Sequence, residues 1–372
     1  MTIFSHMSAL AQKCGAINLA QGFPDFPIDE TLAGFVTEAI QSGANQYAPM
    51  AGLPDFQQAI SEKLFRDYGV LVNGPTEITI TPGATYALYV AAQTALKPGD
   101  ACIVLEPAYD SYVPAIEAAG AQPLFVPLSE EDFRPDFDRI AAAITPRTKA
   151  LFINTPHNPT GAIWEREDFE TLAALVAKHG LYVISDEVYD QIVFDGRKHL
   201  SALAFPALRE QTFVCFSYGK STHTTGWKMG SCVAPTALTA AYRNLHQYLA
   251  FSVSTPLQAA LARYLSPEHF DSPASLLQPR RDLLLSLLRQ TPFRVLSPAA
   301  GTYFQLADYS ALTSKPEKEA AEWLTREHGV ATIPVSAFYH DGRDQHLLRF
   351  CFAKKEETLR AAAKKLHGLT GT

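Results

Sequence analysis

The sequence predicts an α/β protein built as two lobes, and three observations carry that expectation. Its 372 residues exceed what one hydrophobic core usually organises. From about residue 30, helix-patterned segments alternate with short apolar runs. After about residue 272 this alternation gives way to a mixture of helix and strand patterns. The expected division is a large domain over residues 28–271 and a small domain made of 1–27 and 272–372.

Each element has a local reason. Phe4–Cys14 reads as one short helix. Ile17–Pro27 contains Gly22, Pro24 and Pro27, which predict an extended loop rather than a strand or helix. Helical segments such as Asp55–Tyr68 and Phe169–His179 then separate seven apolar runs. These are Glu77–Thr81, Ala101–Leu105, Gln122–Pro127, Ala150–Asn154, Leu181–Ser185, Thr212–Phe216 and Gly230–Ala234. Strands apolar along nearly their whole length suit a sheet covered on both faces, which is the habit of parallel sheets. A mostly parallel seven-stranded sheet follows. Beyond it come a helix, Leu276–Leu288, and strand candidates Phe293–Leu296, Thr302–Ala307, Ala331–Pro334 and Leu347–Phe352. A last helix runs Glu356–Leu366, completing a smaller α+β domain.

Composition narrows the function classes. Apolar residues make up 47% and charged residues 19%, with a net charge of −7, as in an ordinary soluble globular protein. Lys and Arg are scattered, so no basic stripe points to nucleic acid. Cys14, Cys102, Cys215, Cys232 and Cys351 lack zinc or redox spacing, and four lie in apolar runs as small buried hydrophobes. That pattern fits a reducing cytoplasm. Residues 1–20 lack the basic start and long apolar core of a signal peptide, and no run approaches the ~18 apolar residues of a membrane span. The eleven histidines show no metal-binding cluster such as H-E-x-x-H, and His157 and His223 read as polar loop residues.

Ligands of open α/β sheets bind beyond the carboxyl ends of the strands. There the sequence places Gly83-Ala84-Thr85, Tyr109, Asn158, Asp186 with Tyr189, and Ser217 with Lys220. Each has a plain structural reading beside a functional one. The glycine turn either caps a helix or offers free N–H groups to an anion. Tyr109 is either core or a stacking platform. Asn158-Pro159 is an ordinary turn dipeptide, and Asp186 could cap a helix. Lys220, alone, is a solvated lysine; beside an apolar strand it is partly desolvated, which favours the nucleophilic neutral amine. Arg349 lies within Leu347-Leu348-Arg349-Phe350-Cys351-Phe352 and needs a partner, either an internal salt bridge or a ligand carboxylate.

Together these motifs resemble the fold-type I pyridoxal-phosphate enzymes, specifically the class I and II aminotransferases. The resemblance spans roughly Phe4 to Leu366. It rests on Asn158-Pro159-Thr160-Gly161, on Asp186 followed by Tyr189, and on Ser217-x-x-Lys220 followed by Gly226-Trp227-Lys228-Met229-Gly230, in that order. Within the family, Asn18–Phe26 and His246–Phe251 are most similar to bacterial methionine aminotransferases and kynurenine–oxoglutarate/glutamine transaminases.

The resemblance implies pyridoxal 5′-phosphate as cofactor and a role for each matching residue. Lys220 would hold it as a Schiff base and later move the substrate proton. Asp186 would pair with the ring nitrogen. Asn158 and Tyr189 would bond the phenolic oxygen, and Tyr109 would stack on the ring. Gly83, Ala84, Thr85, Ser217 and Lys228, with Tyr47 of a second subunit, would take the phosphate. Arg349 would clamp the substrate carboxylate, assisted by Asn158 and the Gly22 backbone. Phe4, Phe23, Tyr47, Tyr109 and the second subunit's Phe251 would form an aromatic pocket, suited to apolar, thioether or aromatic side chains. A homodimer follows, with amino acids and 2-oxo acids as substrates.

Two positions depart from the pattern. Many relatives carry arginine where Lys228 stands, and lysine lacks the planar fork. Few residues precede Phe4, so any N-terminal arm over the pocket is short. The same chemistry could instead serve a cysteine-conjugate β-lyase. A non-catalytic regulator of this fold would need a DNA-binding domain ahead of Phe4, for which the sequence leaves no room. A nicotinamide enzyme would need a G-x-G-x-x-G fingerprint, which is absent.

Overall fold

A computed structural model describes residues 2–369. Its strands, in chain order, are β1 (Ile17–Asn18), β2 (Ile78–Thr81), β3 (Ala101–Glu106), β4 (Gln122–Pro127), β5 (Thr148–Asn154), β6 (Tyr182–Asp186) and β7 (Thr212–Ser217). They continue with β8 (Gly230–Val233), β9 (Phe304–Asp308), β10 (Val330–Ala331), β11 (Ile333–Pro334) and β12 (Leu347–Cys351). All seven apolar runs become strands of one sheet, in the order β2-β8-β7-β6-β5-β3-β4. Only β8 runs against its neighbours.

Alternation explains why these strands are apolar throughout. Ile103 and Leu105 of β3 join one core with Leu151, Ile153, Val183 and Val214. Cys102 and Val104 join the opposite core with Ala150, Phe152, Ile184 and Phe213. Both faces are covered, so the few polar residues in the strands, such as Ser185 and Ser231, are buried with hydrogen-bond partners. Register then aligns the strand ends. Asn154 stands opposite Asp186, and Ser217 opposite Gly230, which also faces Thr81. Polar groups from separated parts of the chain thereby meet at one rim.

A second core joins Met7 and Leu10 of the first helix (Ile3–Cys14) to Leu324, Ile333, Leu348, Phe350 and Leu359. It surrounds the antiparallel sheet β11-β12-β9.

Three expectations need correction. Ile17–Pro27 is not wholly loop: Ile17–Asn18 pairs in parallel with β10, through Ile17 N to Gly329 O (2.9 Å) and Leu19 N to Ala331 O (3.0 Å). Phe293–Leu296 is not a strand, and contributes one isolated bridge from Arg294 to Asp308. Pro292 and Pro298 flank it and supply no N–H to a ladder. Ala331–Pro334 is interrupted at Thr332, leaving two short strands in different sheets.

Candidate active site

The rim of the large sheet and the second core enclose a cavity of about 300 Å³. Phe4, Gly22, Gly83, Ala84, Thr85, Tyr109, Asn158, Asp186, Tyr189, Ser217, Lys220, Lys228 and Arg349 all line it. Three expected residues do not. Tyr47 and Phe251 form an edge-on pair 5.5 Å apart on the surface, Tyr47 being 83% exposed. Phe23 is half exposed, with the Lys354 ammonium 4.7 Å from its ring centre.

Lys220 sits on a single helical turn, Tyr218–Ser221, directly after β7. Gly219 permits this turn, since a Cβ there would lie 2.8 Å from Thr224 O. The Lys220 amine donates to the Tyr303 hydroxyl at 3.0 Å. Burial lowers its pKa to about 8, with Lys228 and Arg349 acting in the same direction and Asp186 opposing. About a tenth of such a lysine is the neutral nucleophile at pH 7, against well under a hundredth for an exposed lysine.

Asp186 ends β6 and is buried. The Tyr112 hydroxyl donates to its Oδ2 at 2.6 Å, and Val188 N to its Oδ1 at 3.3 Å. Burial raises its pKa to about 6. A turn follows it, not a helix, so the helix-cap reading fails. Tyr112 in turn stacks on Phe152, 4.6 Å away, which fixes the donor. Next along the chain, buried Glu187 accepts from Ser185 Oγ (2.9 Å) and Ala202 N (2.9 Å) and pairs with His199 (2.9 Å). Asp190 pairs with buried Lys63 at 2.8 Å. This anchoring fixes the segment carrying Asp186 and Tyr189.

At the opposite wall, Arg349 is buried on β12 with its guanidinium 3.8 Å from the Phe304 ring centre. Nη1 donates to Asn158 Oδ1 (2.7 Å) and Nη2 to Ala20 O (2.9 Å), while Nε has no partner. An amide and a carbonyl are its partners, so the internal salt-bridge reading is set aside. Burial lowers its pKa to about 10. A buried cation without a counter-ion is poised for an anionic ligand. Asn158 is itself placed by Asn154, whose Oδ1 accepts from Asn158 N at 2.8 Å. Gly22 meets the site differently from expectation: its carbonyl accepts from Tyr303 (2.5 Å), and Ala20 serves Arg349. A side chain at Gly22 would strike Phe304 Cζ at 2.7 Å.

The third wall is the start of the helix Ala84–Ala95. Gly83 precedes it at φ +85°, and no side chain caps that end. Lys228 extends toward it, so a Cβ at Gly83 would lie 3.2 Å from Lys228 Nζ. Free N–H groups, the helix dipole and an ammonium together suit a phosphate. With the Asp186 carboxylate for a ring nitrogen and the Lys220 amine for an aldehyde, the residues present fit pyridoxal 5′-phosphate. Among the described residues, no cluster of three or more candidate metal ligands occurs.

The sequence reading missed Gln21, Leu88, Asn154, Val188, Gly219, Thr225, Met229 and Phe304 in the lining, and Tyr112 and Tyr303 behind it. Asn154 was findable, because it too ends an apolar strand. Tyr303 was not, since its contacts reach residues 220 and 22. His157 is buried, bridging Thr160 Oγ1 (2.7 Å) and Pro107 O (3.0 Å). It holds a loop and does not line the cavity.

Comparison with known proteins identifies the family. Residues 15–366 match the family model described as aminotransferase class I and II. A methionine aminotransferase of Escherichia coli (strain K12) is 46% identical, across 99% of this chain and 96% of that protein. An Escherichia coli crystal structure in which a methionine aminotransferase function was identified superposes with a TM-score of 0.96, at 46% identity, covering 99% of this chain and 97% of that one. The N-succinyldiaminopimelate aminotransferase structure from Mycobacterium tuberculosis gives a TM-score of 0.94 at 39% identity, covering 99% and 97%. A kynurenine–oxoglutarate transaminase of Dictyostelium discoideum is 34% identical over 98% of this chain and 93% of that protein.

Proposed function

The chain belongs to the class I and II aminotransferases, enzymes of pyridoxal 5′-phosphate, and on that premise we propose that it moves the amino group of methionine, or of another apolar or aromatic amino acid, to a 2-oxo acid. One observation carries the substrate class. Arg349 supplies an uncompensated charge to a cavity also lined by Phe4, Leu88, Met229 and Phe304, with the rings of Phe304 and Phe4 against the guanidinium. The cations lining it are Lys220, Lys228 and Arg349. Each has a task in the proposal, so a second acidic group on the substrate would find no partner. This separates the reading from the substrate named for the Mycobacterium relative. A thioether or aromatic side chain instead gains ring and sulfur contacts.

The residue roles form part of the proposal. Lys228, Ser217 and the amides of Ala84 and Thr85 bind the phosphate. Asp186, held by Tyr112, keeps the ring nitrogen protonated. Asn158 and Tyr189 serve the phenolic oxygen, and Tyr109 covers one ring face. Bound there, the cofactor supplies an electron sink for the carbanion at the substrate Cα. Arg349 orients the substrate through its carboxylate. Lys220, as free amine, takes the Cα proton and holds it.

A homodimer is also proposed. The Tyr47–Phe251 pair is exposed, as is Tyr248 three positions before Phe251 at 88%, and such exposed aromatic residues suit burial against a second copy. Tyr47 and Phe251 would then complete the partner's pocket. No helix among the described residues is long and apolar enough to cross a membrane, and all five cysteines are free. The free thiols support the proposed cytoplasmic location.

A panel of amino donors against 2-oxoglutarate and an apolar 2-oxo acid tests the substrate class. Methionine and aromatic donors should exceed aspartate, glutamate and N-succinyldiaminopimelate in kcat/KM by at least about tenfold, the scale of one unpaired buried charge or one well-filled apolar pocket. An acidic donor used best would overturn the substrate assignment.

A further inference from the structure

Tyr303 is fully buried beside the Lys220 amine, and no family motif singled it out. Its backbone carbonyl accepts from Phe352 N at 2.9 Å. Its ring is edge-on to Tyr189 (5.2 Å) and to Phe304 (4.9 Å). Neither can shift without repacking the second core. The hydroxyl donates to Gly22 O at 2.5 Å. A phenol has one proton to give, so toward Lys220 this oxygen is an acceptor, and the Lys220 amine donates to it at 3.0 Å.

We propose that Tyr303 is a positioning residue for proton transfer, its hydroxyl docking the freed Lys220 amine and favouring the ammonium that forms when Lys220 removes the substrate Cα proton. The inference rests on the aminotransferase reading above. In that step the Cα–H bond breaks and an N–H bond forms on Lys220. The electron pair left at Cα is taken up by the cofactor ring, and Tyr303 neither gains nor loses a proton. The ammonium needs such help: burial and the charges of Lys228 and Arg349 all oppose it. Hydrogen bonds to charged groups are the stronger kind. Because the tyrosine proton is committed to Gly22 O, the same hydroxyl ties Lys220 to the loop that closes one wall of the cavity.

The test is Tyr303→Phe, which keeps the ring and removes one oxygen. Two readouts separate docking from loop support. In the methionine half-reaction, the rate should fall about 10- to 100-fold, the range expected for a lost charged hydrogen bond. The isotope effect with α-deuterated methionine should rise, and KM should stay within about threefold. In the cofactor-free enzyme, the pH midpoint for acylation of Lys220, followed by peptide mass mapping, should move down by about one unit, since an acceptor for the charged form is gone. Replacing Tyr303 with 3-fluorotyrosine, which keeps shape and hydroxyl but weakens the acceptor, should move both readouts the same way by less. An unchanged midpoint and isotope effect would overturn the inference, as would a raised KM alone, which marks Tyr303 as a prop for the Gly22 loop. In either case an active wild-type enzyme leaves the aminotransferase reading standing; an inactive wild type would bring down both.

Discussion

Replacing Asp186 with asparagine should make the cofactor-free protein more stable at pH 8 while abolishing turnover. The buried carboxyl has its pKa raised from 3.8 to about 6. Two units correspond to about 3 kcal/mol of penalty for holding the charge in the folded state. The sign follows from linkage. A carboxyl with a raised folded pKa favours folding fully only below its unfolded value, near 4, and that contribution is lost as pH rises through about 6. Asparagine carries no such penalty, and its single oxygen can accept from either Tyr112 or Val188, leaving its NH₂ group toward the other donor. Its NH₂ group, if poorly matched, takes back about 1–2 kcal/mol. The net gain at pH 8 is therefore about 1–2 kcal/mol, a rise in Tm of roughly 2–4 °C for a protein of this size. Thermal unfolding of both cofactor-free proteins at pH 8, 6.5 and 5 reads it. The gain should be largest at pH 8 and shrink by pH 5. A gain independent of pH, or a variant less stable at pH 8, would refute the claim that Asp186 is held charged at a cost.

Other predictions test the remaining walls. Borohydride reduction of the yellow holoenzyme and peptide mapping should place the adduct on Lys220; an adduct on Lys228 contradicts the assignment. The rate at which cofactor-free protein takes up pyridoxal phosphate should rise with pH around a midpoint near 8, because the neutral amine is the nucleophile. A midpoint near that of an exposed lysine, about 10.4, would mean the amine is not desolvated. Arg349→Ala should raise the KM for amino acids by about 100-fold, the scale of a lost charge-assisted pair, with cofactor affinity little changed; equal losses in both would move Arg349 to the cofactor. Sedimentation should find a dimer, and an active monomer would dispose of the proposed roles for Tyr47 and Phe251 across subunits.

The large sheet was legible because its strands are buried on both faces, which writes them into the sequence as continuous apolar runs. The strand-end rule then put Lys220, Asp186, Asn158 and Tyr109 at one rim, where each alone had a plain structural reading and only the motifs in order gave them roles. Short pairings were not legible: β1 and β10 are two residues each, held by backbone bonds that leave no side-chain signature. Phe293–Leu296 misled because apolar content suggests a strand even where flanking prolines prevent a ladder. At the site, Arg349 was conspicuous as a charge in an apolar strand, but its partners, Asn158 and Ala20, lie 191 and 329 positions away. Tyr112 and Tyr303 look like core aromatics in sequence, and they are; their hydroxyls acquire purpose only when the fold brings Asp186 and Lys220 to them.

The central claim is that this chain carries an amino group through its own cofactor, and a single turnover measures that directly. Holoenzyme mixed with methionine and no acceptor should lose its visible absorption band while releasing one equivalent of the matching 2-oxo acid. Adding a 2-oxo acid should restore the band. A band that persists with methionine and with every aromatic donor tried would contradict the account, as would a cysteine conjugate proving the better substrate and releasing its β-leaving group with pyruvate and free ammonia, in place of the 2-oxo acid that matches the intact donor.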